Sequence, residues 1–180
     1  EEIAELERLE EEKLKRQEQT NDDCQFLNTY SSVTDIELAR ATAMATIDAQ
    51  KQPIEMLLEA HRGNLGDQQK NYDLSKKNPS VSESQLKAIE REIQEVKTNI
   101  VKQEAVLQEK LNEQAKINQR YDNSVQRYKY LKNKKVVGCQ QDDKGDYYFI
   151  CKDEGRCDIE LFEPVGKDSK MATEPTDNGS

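Results

Sequence analysis

The sequence predicts a mainly α protein, an elongated antiparallel helical hairpin or coiled coil carrying a small C-terminal β-hairpin lobe that contains cysteines. Three observations predict it. An apolar row recurs in alternating steps of three and four from Leu86 to Leu131, with no Gly or Pro to interrupt it. A second, alanine-rich stripe of near-helical period precedes it between Ile36 and Leu58. Only one stretch, Val136 to Cys151, concentrates β-branched and aromatic residues, and it holds two of the four cysteines.

Composition sets the limits. Of 180 residues, 34% are hydrophobic and 35% charged, with no Trp and three Phe, so a thick globular core is not expected and apolar residues must work in stripes. The net charge of −9 argues against phosphate-driven binding, and no nucleic-acid partner is expected. No apolar run is long enough to span a membrane, and no signal-peptide pattern is present. The chain opens "EEIAELERLEEE" without Met and reads as a processed product or a fragment.

The first element is a helix over residues 1–19, with Ile3, Leu6, Leu9 and Leu14 among eight acidic and four basic residues. "TNDD" at 20–23 reads as a break. Ser32 or Thr34 caps a second helix whose stripe is Ile36, Ala39, Ala43, Ile47, Ile54, Leu57 and Leu58. Pro53 should kink it, and Gly63 should end it. Residues 63–81 then form the polar tip of a hairpin spanning 33–135. Ser82 or Ser84 caps the strongest element, whose seam visits fourteen positions, ten of them apolar, over a length on the order of 80 Å. Gln103, Lys110 and Gln114 weaken its middle, whether to specify register, to hydrate the core, to mark a join between partners or through plain tolerance. Residues 136–166 are assigned to the β lobe, and 167–180 to a disordered tail that ends in a possible glycosylation tripeptide, "NGS". Charge is segregated. The N-terminal helix nets −4, the long helix (84–135) +5 and residues 139–180 −6, which favours pairing between neighbours of opposite sign.

The cysteines raise the chemical question. In "VVGCQQDDKGDYYFIC", a turn with Gly145 in the left-handed position puts Cys139 opposite Phe149 and Cys151 on the diagonal, too far for a bond without local adjustment. A turn over Lys144–Asp146 would instead put Cys139 opposite Cys151. Cys157 competes as partner for either residue. Cys24 would meet Cys157 only if the first helices fold back beside the end of the long one, or it would link to another chain. Zinc is disfavoured, because Cys139, Cys151 and Cys157 are separated by eleven and five residues rather than in close pairs. Redox catalysis is disfavoured too: no C-x-x-C exists, and acids beside each cysteine oppose the thiolate. Disulfides, and with them an oxidising compartment, are the expectation for Cys24, Cys139, Cys151 and Cys157.

Other groups read as structural. His61, near Glu55 and Glu59, is assigned to packing or to a helix end, and the serines of "SSVT" and "SVSES" to caps. "RYKYLKNKK", Arg127 to Lys135, is assigned to a solvated helix end. No catalytic residue, metal ligand or cofactor is assigned. The expected role is non-catalytic: a structural or assembly protein, periplasmic or secreted, that pairs helices with itself or with partner proteins. Ile89, Ile93, Val96, Ile100, Ile117, Tyr121 and Tyr128 are its expected docking seam. The alternatives are a recognition module using Tyr147 and Tyr148, and a holding chaperone gripping clients between the arms.

Overall fold

The computed structural model describes residues 1–160. It contains three long helices followed by a three-stranded antiparallel sheet: α1 (Glu2–Thr29), α2 (Val33–Lys77), α3 (Glu83–Asn133), β1 (Val136–Gln141), β2 (Tyr147–Cys151) and β3 (Gly155–Cys157). The mainly α class, with α2 and α3 antiparallel and a disulfide-bearing sheet at the C-terminal end, is as the sequence predicts. The chain divides into two compact units, one made of Glu1–Ala43 and the chain from Lys116 onward, the other of Met44–Ala115.

Three boundaries differ from expectation. The first helix does not stop at residue 19 but runs to Thr29. Asp23 and Cys24, in and beside the supposed break, are fully buried and bonded to distant residues, and those bonds outweigh the weak helix propensity of the segment. α2 passes through Pro53, Gly63 and Gly66 to Lys77. Pro53 and Ala49 are both exposed, so the carbonyl that the ring leaves without a partner lies on the solvent side of the helix. Beyond Gly63, Leu65 packs on the apolar cluster and Tyr72 donates its hydroxyl hydrogen to Glu90 at 2.8 Å, contacts that offset roughly 1 kcal/mol for each helical glycine. The hairpin tip therefore shrinks from 63–81 to the few residues after Lys77. Ser82 closes it with a capping box: its Oγ accepts from the Gln85 N–H at 3.2 Å, and Gln85 Oε1 accepts from the Ser82 N–H at 2.9 Å. At the other end of α2, Ser32 Oγ accepts from the Asp35 N–H.

In the unit Met44–Ala115, cross-helix pairs run in opposite order along α2 and α3: Gln50 with Lys110, Arg62 with Glu104, Tyr72 with Glu90. Leu58, Val96 and Ile100 form the buried cluster, flanked by Ile54, Leu65 and Leu107. Each such side chain contributes about 1.5–3 kcal/mol by leaving water. Leu57 is a correction to the expected stripe: it is 42% exposed, while Leu58 is 2% exposed. The polar positions in the seam are put to use. Lys110 Nζ donates to Gln50 Oε1 at 2.9 Å, Gln114 Nε2 to Asp48 Oδ1 at 2.7 Å, and Lys51 Nζ to Gln114 Oε1 at 3.3 Å. This ladder is satisfied in one register of the two helices and broken by a slip, which is how polar seam positions specify alignment.

Candidate functional site

The other unit holds all four cysteines and most of the aromatic residues. β1 enters from α3 through Lys135, whose φ of 64° lets the chain reverse, and its carbonyl accepts from the Lys152 N–H at 2.8 Å. The β1–β2 turn takes the first of the two registers derivable from the sequence: Gly145 sits at φ 84°, the Asp142 N–H donates to the Asp146 carbonyl, and Cys139 pairs with Phe149. Cys139 and Cys151 are therefore not opposite one another. A third strand, β3, which the sequence reading did not separate from the lobe, pairs Phe149 with Cys157 and Cys151 with Gly155.

The cysteines pair as Cys24–Cys139 and Cys151–Cys157, each with Cα atoms 5.8 Å apart. The first bridge corrects both expectations for Cys24, since its partner is neither Cys157 nor another chain. It also corrects the picture of a lobe stapled on its own, because one of the two bonds fastens the sheet to α1. The adjacent residue fastens α1 to α3. Arg127 Nε donates to Asp23 Oδ1 at 2.8 Å and its Nη2 to Oδ2, a two-pronged pair in which the side chains are 2% and 0% exposed. Consecutive helical residues point about 100° apart, so Asp23 and Cys24 reach different elements from one turn of helix. Burial pushes the Asp23 carboxyl up, against the downward pull of the Arg127 guanidinium.

Around this anchor lie Phe26, Tyr30, Tyr121 and Tyr128, all buried. Phe26 meets Tyr30 and Tyr128 with ring centroids at 5.4 and 6.4 Å, and the Tyr128 hydroxyl donates to the Ser31 carbonyl at 2.6 Å. Burial, with Tyr121 beside it, pushes the Tyr30 phenol up to about 12. On the sheet side, Gln17 Nε2 donates to the Tyr147 carbonyl at 2.8 Å, and Asn21 Oδ1 accepts from the Tyr147 N–H at 3.0 Å.

The expected docking seam is covered from within the chain. Val96 and Ile100 pack on Leu58 of α2; Ile117, Tyr121 and Tyr128 are buried; Ile89 and Ile93 are half-buried. Val96 and Ile100 thus meet α2 of the same chain. Tyr147 and Tyr148 are half-buried, and the Arg156 guanidinium lies 4.4 Å from the Tyr148 ring centroid. Both tyrosines line a shallow groove with Arg16, Gln17, Arg156 and Ile159. "RYKYLKNKK" is not simply solvated, because Arg127 turns inward to Asp23 and lies 5.1 Å from the Tyr130 ring centroid. His61 is half-buried on α2, with Glu55 and Glu59 exposed. The expected tail at 167–180, with "NGS", and the end of the expected lobe lie outside the described residues.

Large apolar side chains left exposed among the described residues include Leu38, Met56, Leu74, Val101 and Val137, and a row of four on α1 before Gln17. From Glu1 to Leu14 every residue but Glu12 is exposed, Ile3 by 74%, Leu6 by 61%, Leu9 by 42% and Leu14 by 61%. The sequence displayed these residues as a thin apolar edge, but nothing in it said that they, and not the long seam, would stay open. No helix among the described residues is long and apolar enough to cross a membrane. Comparison with protein-family models, with curated proteins and with solved structures finds no match.

Proposed function

We propose that this protein is a non-catalytic assembly component of an extracytoplasmic compartment, periplasmic or secreted, which works by docking exposed helix faces onto partner helices. One observation carries the reading: α1 is bolted by Asp23 and Cys24 to a rigid sheet and to α3, yet its first four turns present large apolar side chains to water. The chain's chemically reactive types already have structural work. Its four cysteines are bonded in pairs, the buried acid is paired with Arg127, and Ser32 and Ser82 cap helices. The two disulfides favour an oxidising compartment.

A second reading rests on the Tyr148–Arg156 stack beside the groove, which has the residue types of a small recognition surface. One experiment separates the two. A photo-crosslinking residue is placed at Leu6, at Tyr148 or at the exposed control Glu59, in cells of the source organism. Adducts of discrete mass from Leu6 alone support assembly through α1, and adducts from Tyr148 alone support the recognition surface. No adduct from Leu6 refutes the assembly reading.

A further inference from the structure

The partner of the open face is the question that the assembly reading leaves. We propose that α1 pairs antiparallel with α1 of a second copy of this chain, through Ile3, Leu6, Leu9 and Leu14. The inference rests on the assembly reading and names its partner.

At 100° per residue, these four side chains fall within an arc of about 140°, the width of a face that buries against one neighbouring helix. The same face, one turn further on, is the one that Gln17, Asn21 and Cys24 turn toward the sheet. The open segment thus continues an interface already formed by the second half of the helix. Its ion pairs are local and largely exposed: Arg8 with Glu5 and Glu12, Lys15 with Glu11, Arg16 with Glu12. Such pairs contribute roughly 0–1 kcal/mol each and do not account for four large apolar residues in water.

Charge selects the occupant and its direction. Glu1 and Glu2 open the segment with negative charge and Lys13, Lys15 and Arg16 close it with positive charge, with Glu5, Glu7, Glu10, Glu11 and Glu12 between them. A parallel pair would set acid on acid. An antiparallel pair sets Glu1 and Glu2 of each helix beside Arg16 and Lys15 of the other, with Glu5 and Glu7 opposite Glu12 and Glu10 in the middle, and both end contacts form at once because the two helices are identical. With Ile3 opposite Leu14 of the second copy, Leu6 and Leu9 of both copies share the middle. Such a contact is isologous and closes as a two-fold dimer without propagating into a filament. A lipid surface fits poorly, because helices that lie on membranes carry Lys and Arg on the polar face, and seven acids stand on this segment. Among the described residues elsewhere in the same unit, the exposed large apolar residues are single ones, Leu38 and Val137, and make no second row for α1 to meet. Four turns per chain bury less than the roughly 800 Å² per partner of a standard interface, so the dimer is expected to form in the micromolar range or weaker.

The test is sedimentation velocity on the oxidised full chain from low micromolar to submillimolar concentration. The wild type should shift from monomer to dimer. Leu6→Glu with Leu9→Glu should hold it monomeric while circular dichroism and tyrosine fluorescence keep their wild-type form. Orientation is read by charge exchange. Glu1→Lys with Glu2→Lys makes one variant, and Lys15→Glu with Arg16→Glu a second. Each alone should dimerise at least tenfold more weakly than wild type, and their mixture should recover a heterodimer. A monomer at every concentration, or a dimer that the glutamates leave intact, overturns the proposal. A monomeric protein that still gives crosslinks from Leu6 to a different protein removes self-pairing but keeps the assembly reading. A monomeric protein with no such crosslink removes both.

Discussion

The two disulfides should differ in worth, and the structure says by how much. Cys24 and Cys139 are 115 residues apart, and Cys151 and Cys157 are 6 apart. If a bridge acts chiefly by removing loop entropy from the unfolded chain, the long loop contributes about 4.8 kcal/mol at 25 °C and the short one about 2.2. The loops do not overlap, so the effects should add. The perturbation is Cys24→Ala with Cys139→Ala, against Cys151→Ala with Cys157→Ala. Each pair removes one buried and one half-buried sulfur, so the packing loss is matched and the difference between the variants isolates the loop. Urea unfolding followed by tyrosine fluorescence suits the purpose, since of seven tyrosines only Tyr72 lies outside the unit that carries both bridges. The long-loop variant should lose about 2–3 kcal/mol more than the short-loop variant. Equal losses, or a larger loss from the short loop, would refute the entropic reasoning and locate the stabilisation in the folded state.

Two further outcomes follow from burial and titration. Leu58→Ala should cost about 2–5 kcal/mol, whereas Leu57→Ala should stay within about 0.5, because one leucine is in the α2–α3 interface and its neighbour faces water; calorimetric or urea midpoints would show it. The folded state raises the Tyr30 phenol from 10.0 to about 12, which favours its protonated form. Stability from this group is therefore whole below pH 10 and is lost as pH rises from 10 towards 12. Tyr128 is shifted upward as well, by burial and then by Asp35, so Tyr30→Phe should remove part of the alkaline loss seen in urea midpoints.

The sequence by itself determined that three helices form and that α2 pairs antiparallel with α3, and it narrowed the β1–β2 turn to two registers. The helices depend on local quantities, a three-four apolar period and a capping serine, whereas the choice of register, with Gly145 at φ 84° and Cys139 opposite Phe149, was made only in the folded sheet. The tertiary structure alone decided what could not be computed from neighbours in the chain. Asp23 finds Arg127 and Cys24 finds Cys139 across more than a hundred residues, and nothing near either residue names its partner. The same contacts overrode the local signals that seemed to end α1 at residue 19, and the packing of Leu65 overrode Gly63. Tertiary packing also settled which apolar rows are spent. Much of the long seam of α3 is buried, and the short edge of α1 stays exposed, because burial depends on which surfaces meet and periodicity fixes only which side chains share a face.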